Sequence, residues 1–213
     1  MTRFSEATGL ERRCSRLPAV LLLALIMNAC SIKPPATRDT TTTDHWQQHS
    51  SDVSALKAWD LKGRIAIQKE KESASASLMW QQAPSNFKIR IFGPFGKGSV
   101  ELLGDESRVS MLDAEGRSLE AKNAETLLQD YLGWQVPVSG LYYWVRGIPN
   151  PQDYVQTMIL DADSRLQELR QSGWHIRYKR YQSVKALHLP ARLELQNREL
   201  KVKLVLREWV TGP

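Results

Sequence analysis

Cysteine is scarce in this sequence, since Cys14 and Cys30 are the only two among 213 residues. Three of the five residues directly before an apolar run, Leu17–Met27, are arginines, and Cys30 follows that run closely. A positive segment, a short apolar run and a small residue at the cut form a secretory signal peptide. The run is about half of the ~20 residues that a membrane-spanning helix needs, so no permanent transmembrane helix is expected there. Cleavage removes Cys14, and the mature chain then has no partner for an internal disulfide.

The segment that ends at Cys30 resembles a bacterial lipobox, which implies acylation of Cys30 and a signal peptide over residues 1–29. In an oxidising envelope compartment, one unpaired cysteine fits an acylated residue better than a free thiol. An ordinary signal peptide that happens to end at a cysteine is the alternative. Ser31 follows the cysteine. In the lipoproteins that this segment resembles, a serine there does not signal retention in the inner membrane, which implies delivery to the outer membrane.

Catalytic and metal-binding motifs are also missing. His45 and His49 have helical spacing, but no glutamate lies between them and no third ligand is near. The stretch around Lys97 lacks the first glycine of a P-loop and precedes a strand, and no Gly-x-Ser-x-Gly motif occurs. Asp161-Ala162-Asp163 lacks the later ligand and the glycine of a calcium loop. The sequence therefore predicts no enzyme, no metal and no cofactor; a hydrolase would need a nucleophilic site that only the fold assembles.

Charge is only mildly unbalanced. The formal net charge is +6, of which residues 1–29, with four arginines and two glutamates, contribute +2. The basic residues alternate with apolar residues instead of forming a block, so a solvated sheet face is the favoured interpretation and nucleic acid is not an expected partner. Attraction to anionic head groups or to an acidic partner is the alternative.

The mature chain divides into a tether and one domain. Residues 30–45 contain two prolines and a threonine run, and almost nothing there can be buried, so we expect a flexible tether after the acylated cysteine. Residues 46–213 form the domain. It begins with a predicted helix over Trp46–Trp59, which Asp44 could cap.

After that helix the hydrophobic period changes to two. Leu61, Ile65 and Ile67 alternate with polar residues, and similar runs recur up to Trp209, so the sequence predicts about ten antiparallel strands that curl toward a barrel. Helical signals interrupt the strands midway. Asn123 is a plausible N-cap with Gly133 as the C-terminal stop. A second short helix is predicted over Val138–Arg146.

Several short motifs, in a fixed order, resemble the LolB family of outer-membrane lipoprotein receptors. They extend from about Trp46 to Trp209, nearly the whole domain. The motifs are Trp80-Gln81-Gln82, Gly93-Pro94-Phe95-Gly96, Gly133-Trp134 with Pro137-Val138, Leu141-x-x-Trp144-x-x-Gly147-x-Pro149, and Gln171-x-Gly173-Trp174-x-Ile176-x-Tyr178.

The resemblance implies a mainly β fold: an unclosed antiparallel β-barrel of about ten or eleven strands, covered by short α-helices and enclosing an apolar cavity. It also implies a function. Members of the family accept triacylated lipoproteins from the periplasmic carrier LolA and insert them into the outer membrane without ATP or any cofactor. A monomer that is lipid-anchored to the outer membrane and faces the periplasm is therefore expected.

The resemblance also assigns site residues. The loop Gly93, Pro94, Phe95 and Gly96 matches a projecting family loop whose bulky aliphatic residue is needed for membrane delivery, and Phe95 occupies that position. From the residues alone, the ring of Phe95 could equally fold back onto the sheet. Candidates for the lining of an acyl-chain cavity are Ile89, Ile91, Val100, Leu102, Trp144 and Trp174.

A different class of function stays open at this point. A structural or interaction lipoprotein of the envelope could have the same strands, a filled interior and a basic face that binds another protein. The two hypotheses differ in one physical respect: only the transfer receptor needs an interior that accepts a hydrocarbon chain.

Overall fold

The computed structural model describes residues 40–93, 98–105 and 107–212. The predicted signal peptide, Cys30 and residues 94–97 of the glycine-rich loop lie outside this part of the chain. Contacts between Cα atoms divide the chain after Arg38, and the unit Asp39–Pro213 contains every described helix and strand. Because this unit has its own core, we expect it to fold without the residues that precede it.

Three helices and eleven strands follow one another in the described residues. They are α1 (Thr40–Ala55), β1 (Trp59–Lys69), β2 (Glu72–Gln82), β3 (Asn86–Phe92), β4 (Val100–Asp105), β5 (Val109–Asp113), β6 (Ser118–Ala121), α2 (Ala124–Leu132), α3 (Val138–Trp144), β7 (Val155–Leu160), β8 (Leu166–Gln171), β9 (Trp174–Val184), β10 (Leu187–Gln196) and β11 (Leu200–Thr211). None of these helices is both long enough and apolar enough to cross a bilayer.

All eleven strands pair in one antiparallel sheet, in the order β6-β5-β4-β3-β2-β1-β11-β10-β9-β8-β7. The first strand pairs with the last, with Ile65 opposite Leu204. Strands β6 and β7 lie at the two edges and do not pair with each other, so the sheet stays open. The helices α2 and α3 connect these two edges along the chain. The predicted unclosed antiparallel β-barrel with short helices is thereby confirmed.

The alternation of apolar and polar residues builds the two faces of the sheet. In β1, Leu61, Ile65 and Ile67 are buried, whereas Lys62 and Arg64 are exposed. Side chains point to opposite faces of a strand with period two, so one face of the sheet becomes apolar and the other stays wet.

Gly63 interrupts this pattern for a steric reason. The register between β1 and β11 shifts between Lys62 and Gly63. A Cβ at Gly63 would collide with the carbonyl oxygen of Val205, so the close approach of the two strands at this bulge requires glycine.

Cap residues set the ends of α2 as the sequence predicted. The side chain of Asn123 accepts a hydrogen bond from the backbone N–H of Thr126 at 2.8 Å. Gly133 has a φ of 68° and its N–H donates to the carbonyl of Gln129, which closes the C-terminus in the left-handed conformation. The next helix, α3, begins at Val138 after Pro137 and ends at Trp144, two residues earlier than predicted.

Helix α1 differs from its prediction at both ends. It runs from Thr40 to Ala55, so Asp44 lies inside the helix and does not cap it. Trp59, predicted to end the helix, instead begins β1. The buried ring of Trp59 packs at 5.1 Å from Trp80 and 5.3 Å from Trp209. The spacing of Trp46, Leu56 and Trp59 fits one face of a helix. The cross-strand packing of Trp59 nevertheless favours the strand at that residue.

His49, on α1, is a half-buried titratable group. Its Nε2 atom is buried and has no hydrogen-bond partner among the described residues. Burial, followed by the positive charges of His188 and Arg165, lowers the pKa of His49, and the carboxylates of Asp52 and Asp161 oppose this shift.

We therefore expect acid to destabilise the fold through His49. The unfolded chain takes up a proton at the ordinary pKa of about 6.5, above the pKa in the folded state. As the pH falls below about 6.5, the unfolded state binds more protons and the free energy of unfolding decreases. Urea denaturation at about pH 7 and about pH 5 should show a smaller decrease for His49→Gln than for the wild type. His45→Gln, at an exposed position of the same helix, is the matched control. An unchanged pH dependence in His49→Gln would contradict this assignment.

Candidate functional site

A wholly apolar cavity lies between the inner face of the sheet and the segment that carries α2 and α3. Its lining residues from the sheet are Ile65, Ile67, Leu78, Trp80, Ile89, Ile91, Leu102 and Leu204. Its roof consists of Leu128, Trp134, Val136, Val138, Leu141 and Val145. None of the described residues that line it is charged, so the cavity suits hydrocarbon and disfavours polar ligands.

The strand register explains why the sheet side of this cavity is continuous. Leu78 lies opposite Ile91, and Trp80 lies opposite Ile89. Ile89 in turn lies opposite Leu102 on β4. Directly opposite residues of antiparallel strands share a face, so these five side chains form one apolar surface across three strands.

The cavity is narrow in this conformation, with a volume of about 50 Å³. Pockets that hold drug-sized ligands have volumes of roughly 300–1,000 Å³. An acyl chain therefore needs the roof to move away from the sheet before it can enter.

The apolar face of the roof helix α2 is buried in the core, and polar contacts attach its C-terminal end to the sheet. The hydroxyl of Tyr131 donates to Asp113 at 2.8 Å, and Arg117 also donates to Asp113. Lys69 donates to the carbonyl oxygen of Gly133 at 3.2 Å. Burial alone would raise the pKa of Asp113. Hydrogen bonds from Arg117 and Tyr131 outweigh the effect of burial and lower this pKa to about 2. The anchor therefore stays ionised at neutral pH.

Helix α3 is attached more firmly than α2. The hydroxyl of Tyr178 donates to the carbonyl oxygen of Trp144 at 3.1 Å. Arg146, which follows the helix, is 1% exposed and donates to the carbonyl oxygens of Val53 and Leu56 at the end of α1. Its guanidinium also lies 4.0 Å from the ring centroid of Tyr142. Burial lowers the pKa of Arg146. The sequence does not single out this arginine, because Val53 and Leu56 lie 93 and 90 residues earlier in the chain.

Gln171 forms a second buried anchor, beneath the connector after α3. Its side-chain oxygen accepts from the indole N–H of Trp144 at 2.8 Å and from the backbone N–H of Asn150 at 2.9 Å. Its amide nitrogen donates to the carbonyl oxygens of Asn150 and Asp153 at 2.8 and 3.0 Å. One glutamine thus satisfies four polar groups and fixes the rigid end of the roof.

The structure brings together three of the six residues predicted for the cavity lining. Ile89, Ile91 and Leu102 lie along the cavity. The buried Val100 pairs with Ile91 but is not part of the lining. Trp144 and Trp174 lie elsewhere in the core, with ring centroids 6.4 Å apart. All six roof residues were missed, as were five lining residues of the sheet, although the motifs containing Trp80, Trp134 and Leu141 gave a signal. The five sheet residues are Ile65, Ile67, Leu78, Trp80 and Leu204.

Besides a depression of about 560 Å³ around Glu70 and Lys201, two larger depressions with charged side chains occur on the surface of the described residues. One, of about 800 Å³, lies between α2 and the β8–β9 and β10–β11 hairpins and includes Glu125, Asp130 and Arg198. The other, of about 580 Å³, includes Asp60, Lys88 and Asp105. Charged, open grooves do not shield hydrocarbon, so the smaller apolar cavity is the better candidate site.

Among the described residues, no group of three or more His, Cys, Asp or Glu side chains could hold a metal ion. The predicted membrane loop connects β3 to β4 at one end of the sheet. Of this loop the structure describes Gly93 and Gly98, whereas Pro94, Phe95 and Gly96 lie outside the described residues, as does Cys30.

The chain matches a family model described as "Outer membrane lipoprotein LolB" over residues 57–209. Relatives with the name Outer-membrane lipoprotein LolB include one from Pseudomonas aeruginosa, 42% identical over 77% of this chain and 80% of the relative. Another, from Stutzerimonas stutzeri, is 38% identical over 88% of this chain and 91% of the relative.

Solved structures support the fold. An outer membrane lipoprotein-sorting protein domain from Vibrio parahaemolyticus superposes with a TM-score of 0.54 at 5% identity, over 79% of this chain and 91% of that domain. A LolA superfamily protein from Nitrosomonas europaea gives a TM-score of 0.50 at 7% identity, over 81% and 94%. The family model covers most of the described domain and the named relatives span most of the chain, and on these grounds this chain belongs to the LolB family of outer-membrane lipoproteins.

Proposed function

We propose that this chain receives triacylated lipoproteins from the periplasmic carrier LolA and inserts them into the inner leaflet of the outer membrane, without ATP. Its family is one of lipoprotein-localisation proteins and not of enzymes. The single observation that carries the proposal is the wholly apolar cavity between the sheet and the roof helices.

The physical need for such a cavity follows from the cargo. Each buried CH₂ group contributes about 0.8 kcal/mol, so an acyl chain of ~15 methylenes resists exposure to water by roughly 12 kcal/mol. Because each ~1.4 kcal/mol of barrier slows a rate ten-fold, spontaneous release of the chain into water is negligibly slow. Cargo must therefore pass from one apolar shelter to the next. With no nucleotide-binding motif in the sequence, each step must be downhill: from carrier to a tighter cavity, and from that cavity to the bilayer.

Entry of a chain requires a conformational change, because the cavity holds only about 50 Å³. The attachments favour α2 as the moving part: Tyr131 and Gly133 tie its C-terminal end to the last residues of β5 and β1, whereas α3 is fixed by buried hydrogen bonds from Tyr178 and Arg146. Lifting α2 and the segment around Trp134 would expose the apolar surface on β1–β4.

Two further assignments belong to the same proposal. Acylated Cys30 anchors the domain to the outer membrane, and the loop Gly93, Pro94, Phe95 and Gly96 enters the lipid interface during delivery. The position of the loop at the end of β3, whose residues Ile89 and Ile91 line the cavity, supports a short path from cavity to bilayer.

Replacing Ile91 with glutamine should weaken binding of an acyl chain about ten-fold, since the change replaces about 1.5–3 kcal/mol of apolar contact with a polar group. Ile91 is only half-buried, so the variant should still fold. Binding is measured with a fluorescent apolar probe that an acylated peptide displaces. Ile159→Gln, at an exposed position of edge strand β7, is the matched control and should bind like the wild type.

The narrowness of the cavity favours one alternative, a structural envelope lipoprotein whose interior never opens. On that hypothesis the wild type binds no apolar probe, or the acylated peptide fails to displace it. Either result would overturn the transfer proposal.

A further inference from the structure

Cationic side chains cluster on the outer face of one half of the sheet. The register aligns outward-pointing residues of β8, β9, β10, β11 and β1 in three parallel rows. The first row is Arg170, His175, Gln196, Lys201 and Gln68; the second is Glu168, Arg177, Glu194, Lys203 and Ala66; the third is Arg180, Arg192, Val205 and Arg64. We call these three rows the basic face.

The basic face has far more positive than negative charge. Its rows hold seven lysines and arginines but only two glutamates. Glu194 is shared by Arg177 at 3.5 Å and Arg192 at 3.9 Å, and Glu168 contacts His175 at 3.0 Å. The five remaining cations have no carboxylate partner within the described residues, and all five are exposed: Arg64, Arg170, Arg180, Lys201 and Lys203.

The other half of the sheet does not share this excess. On β3, Lys88 and Arg90 both pair with Glu101 of the neighbouring strand, at 2.9 and 3.2 Å. Asp105 and Glu120 add negative charge farther along β4 and β6. The positive charge is therefore concentrated on one half of the sheet. Solubility alone does not require such a separation of charge.

We propose that the basic face docks the domain onto the anionic phospholipid head groups of the membrane to which the protein is anchored. A row of basic residues near an anionic bilayer gains affinity from each charge without needing shape complementarity. The chain is an outer-membrane lipoprotein, so the surface of that membrane is the one that the domain meets at high effective concentration.

The composition of the basic face favours a membrane over an acidic protein. Protein interfaces draw most of their affinity from buried Trp, Tyr and Arg anchors that fill pockets on the partner. The three rows contain no Phe, Tyr or Trp, and Val205 is their one large aliphatic residue. A flat array of flexible cations binds a fluid charged surface well and a shaped protein pocket poorly.

The test uses residues 31–213, which include the whole folded unit but lack the acylated cysteine. Sedimentation with phosphatidylcholine vesicles, with and without phosphatidylglycerol, measures the affinity. The wild type should bind only the anionic vesicles, and raised salt should abolish binding. The triple variant Arg64→Gln, Lys201→Gln and Lys203→Gln should bind them about a hundred-fold more weakly, at about five-fold per charge removed.

A matched triple variant controls for net charge. Lys57→Gln, Arg108→Gln and Lys122→Gln remove the same charge from exposed positions outside the basic face and should leave vesicle binding within about two-fold of the wild type. Circular dichroism confirms that both variants are folded.

Three results would overturn the proposal. The wild type could bind both kinds of vesicle equally, or the two triple variants could lose affinity equally. Alternatively, the basic-face variant could keep vesicle binding while losing capture of cargo from a loaded carrier, in which case the face serves an acidic protein. The inference depends on membrane location and not on cargo transfer. If Ile91→Gln bound the apolar probe like the wild type while vesicle docking was intact, only the proposed function would be refuted.

Discussion

Replacing Phe95 with glutamate should slow delivery of cargo to membranes by about a hundred-fold while leaving folding and cargo uptake intact. Burying a phenylalanine side chain in an apolar phase contributes about 1.5–3 kcal/mol, and each 1.4 kcal/mol is ten-fold. Glutamate loses that contribution and also resists entry into lipid. Phe95 falls between β3 and β4 in the chain, in the loop proposed to enter the lipid interface during delivery, so we expect uptake not to depend on it.

The measurement is transfer of a radiolabelled lipoprotein from a loaded carrier to vesicles, with uptake scored separately by co-purification. Phe95→Leu is the control, because it keeps an apolar side chain of similar size and should deliver at nearly the wild-type rate. Wild-type delivery by the glutamate variant would rule out a membrane role for this loop. A variant that unfolds would instead indicate that the ring packs onto the sheet.

Replacing Gln171 with leucine should destabilise the domain by about 3–5 kcal/mol. The change leaves the indole N–H of Trp144 and the N–H of Asn150 without an acceptor, and two carbonyl oxygens without a donor. Each buried polar group left unsatisfied costs about 1–3 kcal/mol. Because a domain is stable by about 5–15 kcal/mol in total, a large share of the stability is at stake.

Urea denaturation gives the free energy of unfolding for comparison. Gln196→Leu, at the exposed end of β10, makes the same chemical change where no buried group depends on it and should shift stability by at most about 0.5 kcal/mol. Equal effects in the two variants would show that the hydrogen bonds of Gln171 add nothing beyond the glutamine-to-leucine change itself. The tryptophan fluorescence of the protein, to which Trp144 next to this anchor contributes, should change in Gln171→Leu alone.

Local signals predicted local structure well. The caps at Asn123 and Gly133 fix α2 within a few residues, because a cap satisfies backbone groups of its own helix. The alternation in β1 and β11 likewise assigns inner and outer faces without knowledge of the partner strand. Helix α1 was harder, since Trp59 satisfies a helical pattern and a strand pattern equally and only its contacts with Trp80 and Trp209 decide.

Local patterns were enough to predict the class of fold, the family and the apolar faces of the strands, because alternation and helix caps involve residues only a few positions apart. Long-range packing determines which buried side chains border the cavity: Leu102 lines it, whereas the indole of Trp144 donates a hydrogen bond to Gln171 away from it. It likewise decided that Arg64, Lys203 and Arg180, far apart in the chain, share one charged surface. Both outcomes depend on strand register and helix packing, which join residues that no local pattern connects.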